Sequence, residues 1–452
     1  MPAPLACFTA YDVRGRVGIE LDEDVARRIG RAFAETLGAR RVALGCDARH
    51  SSPALMAAVA EGLVAAGVEV LDLGLCGTEE VYCAAGGLGA CGGIAVTASH
   101  NPPEWNGMKL VGRGAAPLDP ATELAAIRAR AEAAAFGPPR PGGRVVPAPE
   151  ARAAYAARVL AFVDAARLPP LLVLVDAGHG AAGPSFEALA AALAARGAAL
   201  RFVRFRCDPD GRFPDGVPNP LLPERRAATA AAVRAHGADF GVAWDGDFDR
   251  CFLFDHAGGF VPGECVVGLL ARAFLAREPG ATILHDLRAV WGVEAAIAEA
   301  GGRAAVARTG HVHFKQALRA TGAVYGGEMS AHHYFRDFFA CDSGMIPWLV
   351  VAELIGRTGR SLADLVAAAR AAFPSSGEIN FRVADAAAAL ARVEAALGPG
   401  AKTGTTMGAA RGAAIDRRDG LSLAFADWRL NLRPSGTEPL LRLNVETRGD
   451  PA

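Results

Sequence analysis

Leu172-Val173-Leu174-Val175-Asp176 is an apolar run of strand length that ends in an aspartate, and the chain repeats this plan twice more. Val42-Ala43-Leu44-Gly45-Cys46-Asp47 precedes it, and Thr282-Ile283-Leu284-His285-Asp286 follows it. Each run leads into an alanine-rich helical stretch and then a second strand, at 68–71, 200–205 and 304–307 respectively. Near-continuous apolar strands alternating with helices indicate sheets covered on both faces. After a further helix, a third strand in each segment opens into a loop of unusual composition, at 97–102, 245–250 and 327–333. If the segments are structural repeats, all three loops leave the C-terminal ends of strands, where open α/β sheets bind their ligands.

The last part of the chain has a different character. Trp428-Arg429-Leu430-Asn431-Leu432 and Leu441-Arg442-Leu443-Asn444-Val445 alternate apolar and polar residues around the loop Arg433-Pro434-Ser435-Gly436-Thr437-Glu438-Pro439. Strict alternation marks a half-exposed sheet with antiparallel pairing. The predicted fold is α/β: three related α/β domains with mixed, mostly parallel sheets at 1–148, 149–252 and 253–370, and an α+β domain at 371–452. Gly137-Pro138-Pro139-Arg140-Pro141-Gly142-Gly143 reads as the linker after the first unit, and Phe373-Pro374-Ser375-Ser376-Gly377 closes the third.

Composition narrows the function classes. The chain has 452 residues, 52% of them apolar, enough for several aliphatic cores. A formal net charge of −1 provides no field for nucleic acid or an anionic membrane surface, so neither is an expected partner. The nine cysteines form no Cys-x-x-Cys pair, as expected of buried thiols in a reducing compartment. The N-terminal stretch Met1-Pro2-Ala3-Pro4-Leu5-Ala6-Cys7 lacks the basic start and apolar core of a signal peptide. No apolar run reaches the ~18 residues of a membrane helix. A soluble cytoplasmic protein is expected.

The loops carry the chemistry. In Thr97-Ala98-Ser99-His100-Asn101-Pro102 a serine leaves the strand Gly93-Ile94-Ala95-Val96 in a tight polar loop, the placing of a nucleophile or phosphate carrier. Taken alone it also reads as an ordinary turn. Asp245-Gly246-Asp247-Phe248-Asp249-Arg250 sets three carboxylates at alternate residues, so that they converge. Hard oxygen ligands of this kind suit Mg²⁺. An EF-hand is excluded, because the positions needing Gly and Glu hold Arg250 and His256. A solvated acidic turn is the rival, against which Arg250 suits a phosphate shared with the metal. In Gly326-Gly327-Glu328-Met329-Ser330-Ala331-His332-His333, Glu328 and Ser330 pair an acceptor with a hydroxyl, suited to adjacent sugar hydroxyls. The two histidines lack the accompanying spacing of a zinc site. Arg433, Ser435, Gly436 and Thr437 together make a phosphate cradle without a Walker-type lysine, or a plain hairpin loop. A serine, a hard metal, a sugar clamp and a phosphate cradle combine most economically as phosphoryl transfer on a sugar phosphate.

With these motifs in this order, the chain resembles the α-D-phosphohexomutase superfamily over essentially its whole length, and within it the bacterial phosphomannomutase/phosphoglucomutase branch. The resemblance implies four domains around a central cleft, with Ser99 as the phosphoserine. Asp245, Asp247 and Asp249 would bind Mg²⁺ together with the Ser99 phosphate, beside His100 and Arg250. Glu328, Ser330 and His332 would contact the sugar, and Arg433, Ser435, Gly436 and Thr437 the non-reacting phosphate. Further matches are Tyr11-Asp12-Val13-Arg14-Gly15, Asn106-Gly107-Met108-Lys109 and Thr309-Gly310-His311. By resemblance Arg14, Lys109 and His311 line the cleft near the reacting hydroxyl; read without it, Arg14 and Lys109 are surface charges. Arg288, where relatives often carry lysine, and Tyr11 join the substrate contacts. Gly77-Thr78-Glu79 departs from the Thr-Pro pair of many relatives.

The implied reaction exchanges mannose 6-phosphate and mannose 1-phosphate through a hexose 1,6-bisphosphate that turns over in the cleft. The run from Gly327 to Asp337 looks most like phosphomannomutases that feed GDP-mannose synthesis. Glucose phosphates are expected to react too, because the flip exchanges O3 and O4 and leaves O2 unread. Phosphoglucomutase or phosphoglucosamine mutase activity is the alternative; a sugar-phosphate phosphatase or a silent binding protein lies further off. His311 and Lys109 are both candidates for the proton acceptor, with His311 preferred for its near-neutral reference pKa. Monomer and homodimer both remain open.

Overall fold

The computed structural model describes residues 4–398, 413–434 and 440–449. Four sheets follow one another along the chain. The first runs, in spatial order, Val13–Arg16, Trp105–Val111, Gly93–Val96, Arg41–Cys46, Glu69–Leu75, Arg144–Pro147. The second is Phe260–Val261, Cys251–Asp255, Phe240–Trp244, Leu172–Asp176, Arg201–Phe205, and the third Arg303–Val306, Thr282–His285, Tyr325–Gly327, His333–Phe335, Cys341–Asp342.

The repeat read from sequence is a structural one. In each of the three sheets the aspartate-terminated strand is an interior one, pairing in parallel with both the second and the third strand of its segment. The strand after each special loop returns antiparallel to the third. The three loops therefore occupy the same topological position. The fourth sheet, Ser375–Arg382, Leu440–Thr447, Trp428–Pro434, Leu421–Ala424, Ala414–Asp416, is antiparallel throughout.

Several boundaries move. The Gly/Pro stretch 137–143 does not separate two units; it returns the chain so that Arg144–Pro147 joins the edge of the first sheet. The expected division between 252 and 253 cuts strand Cys251–Asp255, because the chain leaving the acidic loop folds straight back onto its own sheet as a hairpin. The division at 370 falls inside helix Leu362–Ala372. Arg433 and Pro434 are the end of strand Trp428–Pro434 rather than part of a loop.

The three α/β units share a core. Tyr82 from the first, Phe186 and Trp244 from the second, and Phe274, Tyr325 and Trp348 from the third belong to one continuous apolar cluster. The fourth unit has its own small core around Leu423, Leu430, Leu432 and Leu441. Polar contacts tie it to the third unit. Glu446 accepts the Val290, Trp291 and Gly292 N–H groups at 2.9, 3.0 and 3.1 Å, capping helix Trp291–Glu299, where unpaired amides and the helix dipole favour a carboxylate. Arg429 donates to the Leu287 and Arg288 carbonyls at 2.7 and 3.1 Å.

Candidate active site

Strand Gly93–Val96 is buried along its length and delivers Ser99 into the centre of the molecule. Ser99 adopts φ +50°, in the left-handed region that L-residues rarely occupy. Its Oγ donates to Asp245 Oδ2 at 2.7 Å and accepts from Arg250 Nη2 at 3.3 Å. His100 Nδ1 lies 3.2 Å from the same Oγ and also contacts Arg250. The acidic loop can come this close because Gly246 has no side chain: a Cβ there would meet the Ser99 carbonyl oxygen at 2.5 Å.

The three aspartates converge as expected. One carboxylate oxygen from each of Asp245, Asp247 and Asp249 lies within 4.8 Å of the others, and all three residues are buried. Between them Phe248 turns away at φ +49° and packs its ring against Gly77 of the first unit. Lys109 Nζ sits among these acids, 2.7 Å from Asp247 and 2.5 Å from Asp249. Burial opposes its charge, but the two carboxylates override that and hold the ammonium protonated. Burial also pushes the Asp249 carboxyl up, and the neighbouring Asp247 charge adds to it. Asp247 Oδ1 and Asp249 Oδ1 have no hydrogen-bond partner among the described residues. Buried, converging oxygens with spare lone pairs fit a hard divalent cation.

Glu328 and Ser330 meet at Arg288, whose Nη2 donates to Glu328 Oε2 at 3.2 Å and to Ser330 Oγ at 3.1 Å. Glu328 also accepts from the Gly310 N–H at 3.1 Å and the Tyr334 hydroxyl at 2.5 Å. His332 Nδ1 lies 2.9 Å from Asp342 and 3.8 Å from Asp249, so the sugar loop adjoins the acidic cluster. Burial works against a charged His332, and Asp249 and Asp342 reverse that, raising its pKa. His333 does not join it. Strand alternation sends its ring the other way, into the core, 2.7 Å from the Tyr325 hydroxyl. Of the two histidines, only His332 adjoins the acidic cluster.

Arg14 and Lys109, which read as surface charges on residues alone, are both largely buried, with side-chain exposures of 14% and 6%. They come from paired strands, Val13–Arg16 on Trp105–Val111. Arg14 donates to the Thr97 carbonyl and pairs with Asp12 at 3.5 Å. His311 Nε2 lies 3.4 Å from the same Asp12 carboxylate, and the Tyr11 ring meets His311 edge-on at 6.1 Å. Burial lowers the His311 pKa more than Asp12 raises it. Arg433 joins from the fourth unit: Glu378 accepts from it at 3.1 Å and lies 3.9 Å from Arg288. Ser435, Gly436 and Thr437 lie outside the described residues.

Besides Asp342 and Glu378, the sequence reading assigned no role to four further residues that the structure brings here. Asp12 orients His311 and Arg14. Tyr334 donates to Glu328. Thr78 donates to Asp247 Oδ2 at 2.6 Å, and Lys315 pairs with Asp342 at 2.8 Å. Thr78 stands in the departure already noted at 77–79, and Lys315 lies one helical turn beyond His311; those were the available signals.

A buried serine loop, a buried acidic cluster and the Glu328/Ser330 loop take the same topological position on three repeated α/β units, and the chain belongs to the phosphoglucomutase/phosphomannomutase family. Family models for its α/β/α domains I, II and III match residues 6–137, 153–258 and 262–373, and the C-terminal domain model matches 378–452. A phosphomannomutase of Salmonella montevideo is 54% identical over 447 residues, 99% of this chain and 96% of that protein. Phosphohexose mutases of Xanthomonas campestris are 53% identical over 450 residues, with the same coverage. Among solved structures, a phosphoglucomutase/phosphomannomutase family protein of Burkholderia thailandensis superposes with TM-score 0.84 at 33% identity, covering 100% of this chain and 94% of that one.

Proposed function

We propose that this enzyme is a phosphomannomutase that interconverts mannose 6-phosphate and mannose 1-phosphate, acts on glucose phosphates as well, and carries the transferred phosphate on Ser99. One observation carries the reading: the Ser99 hydroxyl is held 2.7 Å from the acidic cluster and beneath Arg250. Relatives 46–54% identical over nearly the whole chain, named phosphomannomutases, support the substrate.

In the forward half-reaction the O1 hydroxyl of a hexose 6-phosphate attacks the phosphorus of phosphoserine. The bond from phosphorus to Ser99 Oγ breaks as the bond to O1 forms, giving a hexose 1,6-bisphosphate. The hydroxyl proton passes to His311, which its surroundings keep neutral and which Asp12 orients. Lys109 is held protonated and serves as a positive charge rather than as the acceptor. Arg250 and Arg14 face the phosphate site with fixed donors, which supply much of the rate in phosphoryl transfer. Asp245, Asp247 and Asp249 would hold Mg²⁺, whose chemistry is to neutralise the charge of the transferring group. After the bisphosphate turns over, its other phosphate returns to Ser99. The Glu328/Ser330 clamp holds the sugar in both orientations, with Arg433 on the distal phosphate. The nine free cysteines suit a reducing cytoplasm.

The test is a coupled assay of mannose 1-phosphate with a trace of glucose 1,6-bisphosphate. The parent enzyme turns over and gains about 80 Da on Ser99, the mass of one phosphate; Ser99→Ala does neither. Turnover by Ser99→Ala removes Ser99 from the reaction. Better turnover of N-acetylglucosamine 1-phosphate than of either hexose phosphate removes the mannose assignment.

A further inference from the structure

Arg49, which follows the first strand-ending aspartate by two residues, is only 1% exposed, and its hydrogen bond into the site goes to the backbone of Ser99. Its Nη2 donates to the carbonyls of Ser99 at 2.9 Å and Asn101 at 2.6 Å, and its Nη1 to those of Pro102 at 2.7 Å and Trp105 at 3.0 Å. Its Nε donates to Asp47 Oδ2 at 3.2 Å. The same Asp47 oxygen accepts from Thr97 Oγ1 at 2.7 Å, and Thr97 Oγ1 accepts from the Ser99 N–H at 2.8 Å. Both backbone polar groups of Ser99 are thus tied to one buried ion pair behind the loop. Four carbonyls turned inward onto one guanidinium leave the Ser99 side chain facing the opposite way, towards Asp245.

We propose that the Asp47–Arg49 bracket is the positioning device of the phosphate carrier: Arg49 holds Ser99 in its left-handed conformation, Oγ on the acidic cluster, in both half-reactions. The inference rests on the reading of Ser99 as the phosphate carrier. An unrestrained residue would leave φ +50° for the broader right-handed and extended regions, and the Oγ would swing off Asp245. The guanidinium is suited to the task because its planar fork of donors satisfies several carbonyls at fixed angles, which a lysine ammonium does not. The third unit uses the same Asp-x-Arg spacing differently. There Arg288 pairs with Asp286 at 2.8 Å but reaches Glu328 and Ser330 in the sugar clamp. One repeated strand-end pair thus organises a loop backbone in the first unit and a substrate clamp in the third.

The experiment compares the parent enzyme with Arg49→Lys and Asp47→Asn. It reads the rate at which glucose 1,6-bisphosphate phosphorylates Ser99, by quenched intact mass, together with kcat and KM for mannose 1-phosphate and the thermal midpoint. Arg49→Lys, which keeps the charge and loses the fork, is expected to lower phosphorylation rate and kcat together by about 100-fold, the loss that an ångström-scale misplacement can cause. KM stays unchanged, because no substrate contact is lost. Asp47→Asn follows the same pattern more weakly. A folded Arg49→Lys enzyme that phosphorylates Ser99 at the parent rate overturns the proposal, as does a loss of kcat that only tracks the loss of folded protein. Failure of the parent enzyme to acquire phosphate on Ser99 would instead overturn the phosphoserine reading.

Discussion

Glu328 shows how much a single side chain carries. Its carboxylate is 1% exposed and accepts from Arg288, Gly310 and Tyr334. Glu328→Ala removes a buried, charge-assisted acceptor worth about 1.5–3 kcal/mol, or roughly 10- to 150-fold in rate. Mannose 1-phosphate and glucose 1-phosphate turnover should fall together in steady-state assays, because O3 and O4 are common to both. A loss confined to mannose would place O2 recognition on Glu328. Residue identity was legible here: Ser99, the three aspartates and Glu328 are unusual side chains in unusual loops. Arg49 was not, because a lone Arg beside a strand end carries no signal until another chain segment supplies its partner; Asp12 and Thr78 lay in stretches already singled out, but their roles depended on His311 and Asp247, far along the chain.

At the scale of an element, the His332-His333 pair illustrates how a strand separates neighbours. His332 belongs to the cleft and strand His333–Phe335 carries its neighbour inward. Burial, and secondly the positive charge of His332, push the His333 imidazole down from 6.5 to about 3. The folded state therefore disfavours a proton that the unfolded chain accepts. Stability is full above about pH 6.5 and is lost as pH falls through the window down to about 3. Urea midpoints measured across this window should decline on acidification. His333→Gln, which keeps an acceptor for Tyr325 and removes the titrating ring, should decline less steeply; an identical slope would acquit His333. Strands and alternation were readable from periodicity, whereas the hairpin return after Arg250 was not, since apolar strands in parallel and antiparallel pairing look alike when both faces are buried.

For the whole molecule, the decisive fact is that contacts between the units bring the site residues together. Thr78 of the first unit donates to Asp247 of the second. Glu79 of the first accepts the Gly344 and Met345 N–H groups of the third at 2.9 and 3.2 Å. Arg433 of the fourth reaches the third through Glu378. A cation bound by the acidic cluster would stabilise only this assembled state. Adding Mg²⁺ to chelated enzyme should therefore raise Tm as well as restore turnover, by about 2.7 kcal/mol of stability at a hundredfold excess over Kd. Asp247→Asn should blunt the rise. A midpoint indifferent to Mg²⁺ would leave the cluster as an ion-pair network closed by Lys109.

The sequence by itself determined the α/β class, the threefold repeat and the loops that carry chemistry, because strand periodicity, strand-ending aspartates and clustered functional side chains are local properties of the chain. The tertiary structure alone decided which distant groups meet. Asp245 reaches across 146 residues to Ser99, and Lys109 across 138 to Asp247. It also set the direction in which the pKa values of Lys109, Asp249 and His333 shift, since burial and neighbouring charge arise only when separate segments pack together.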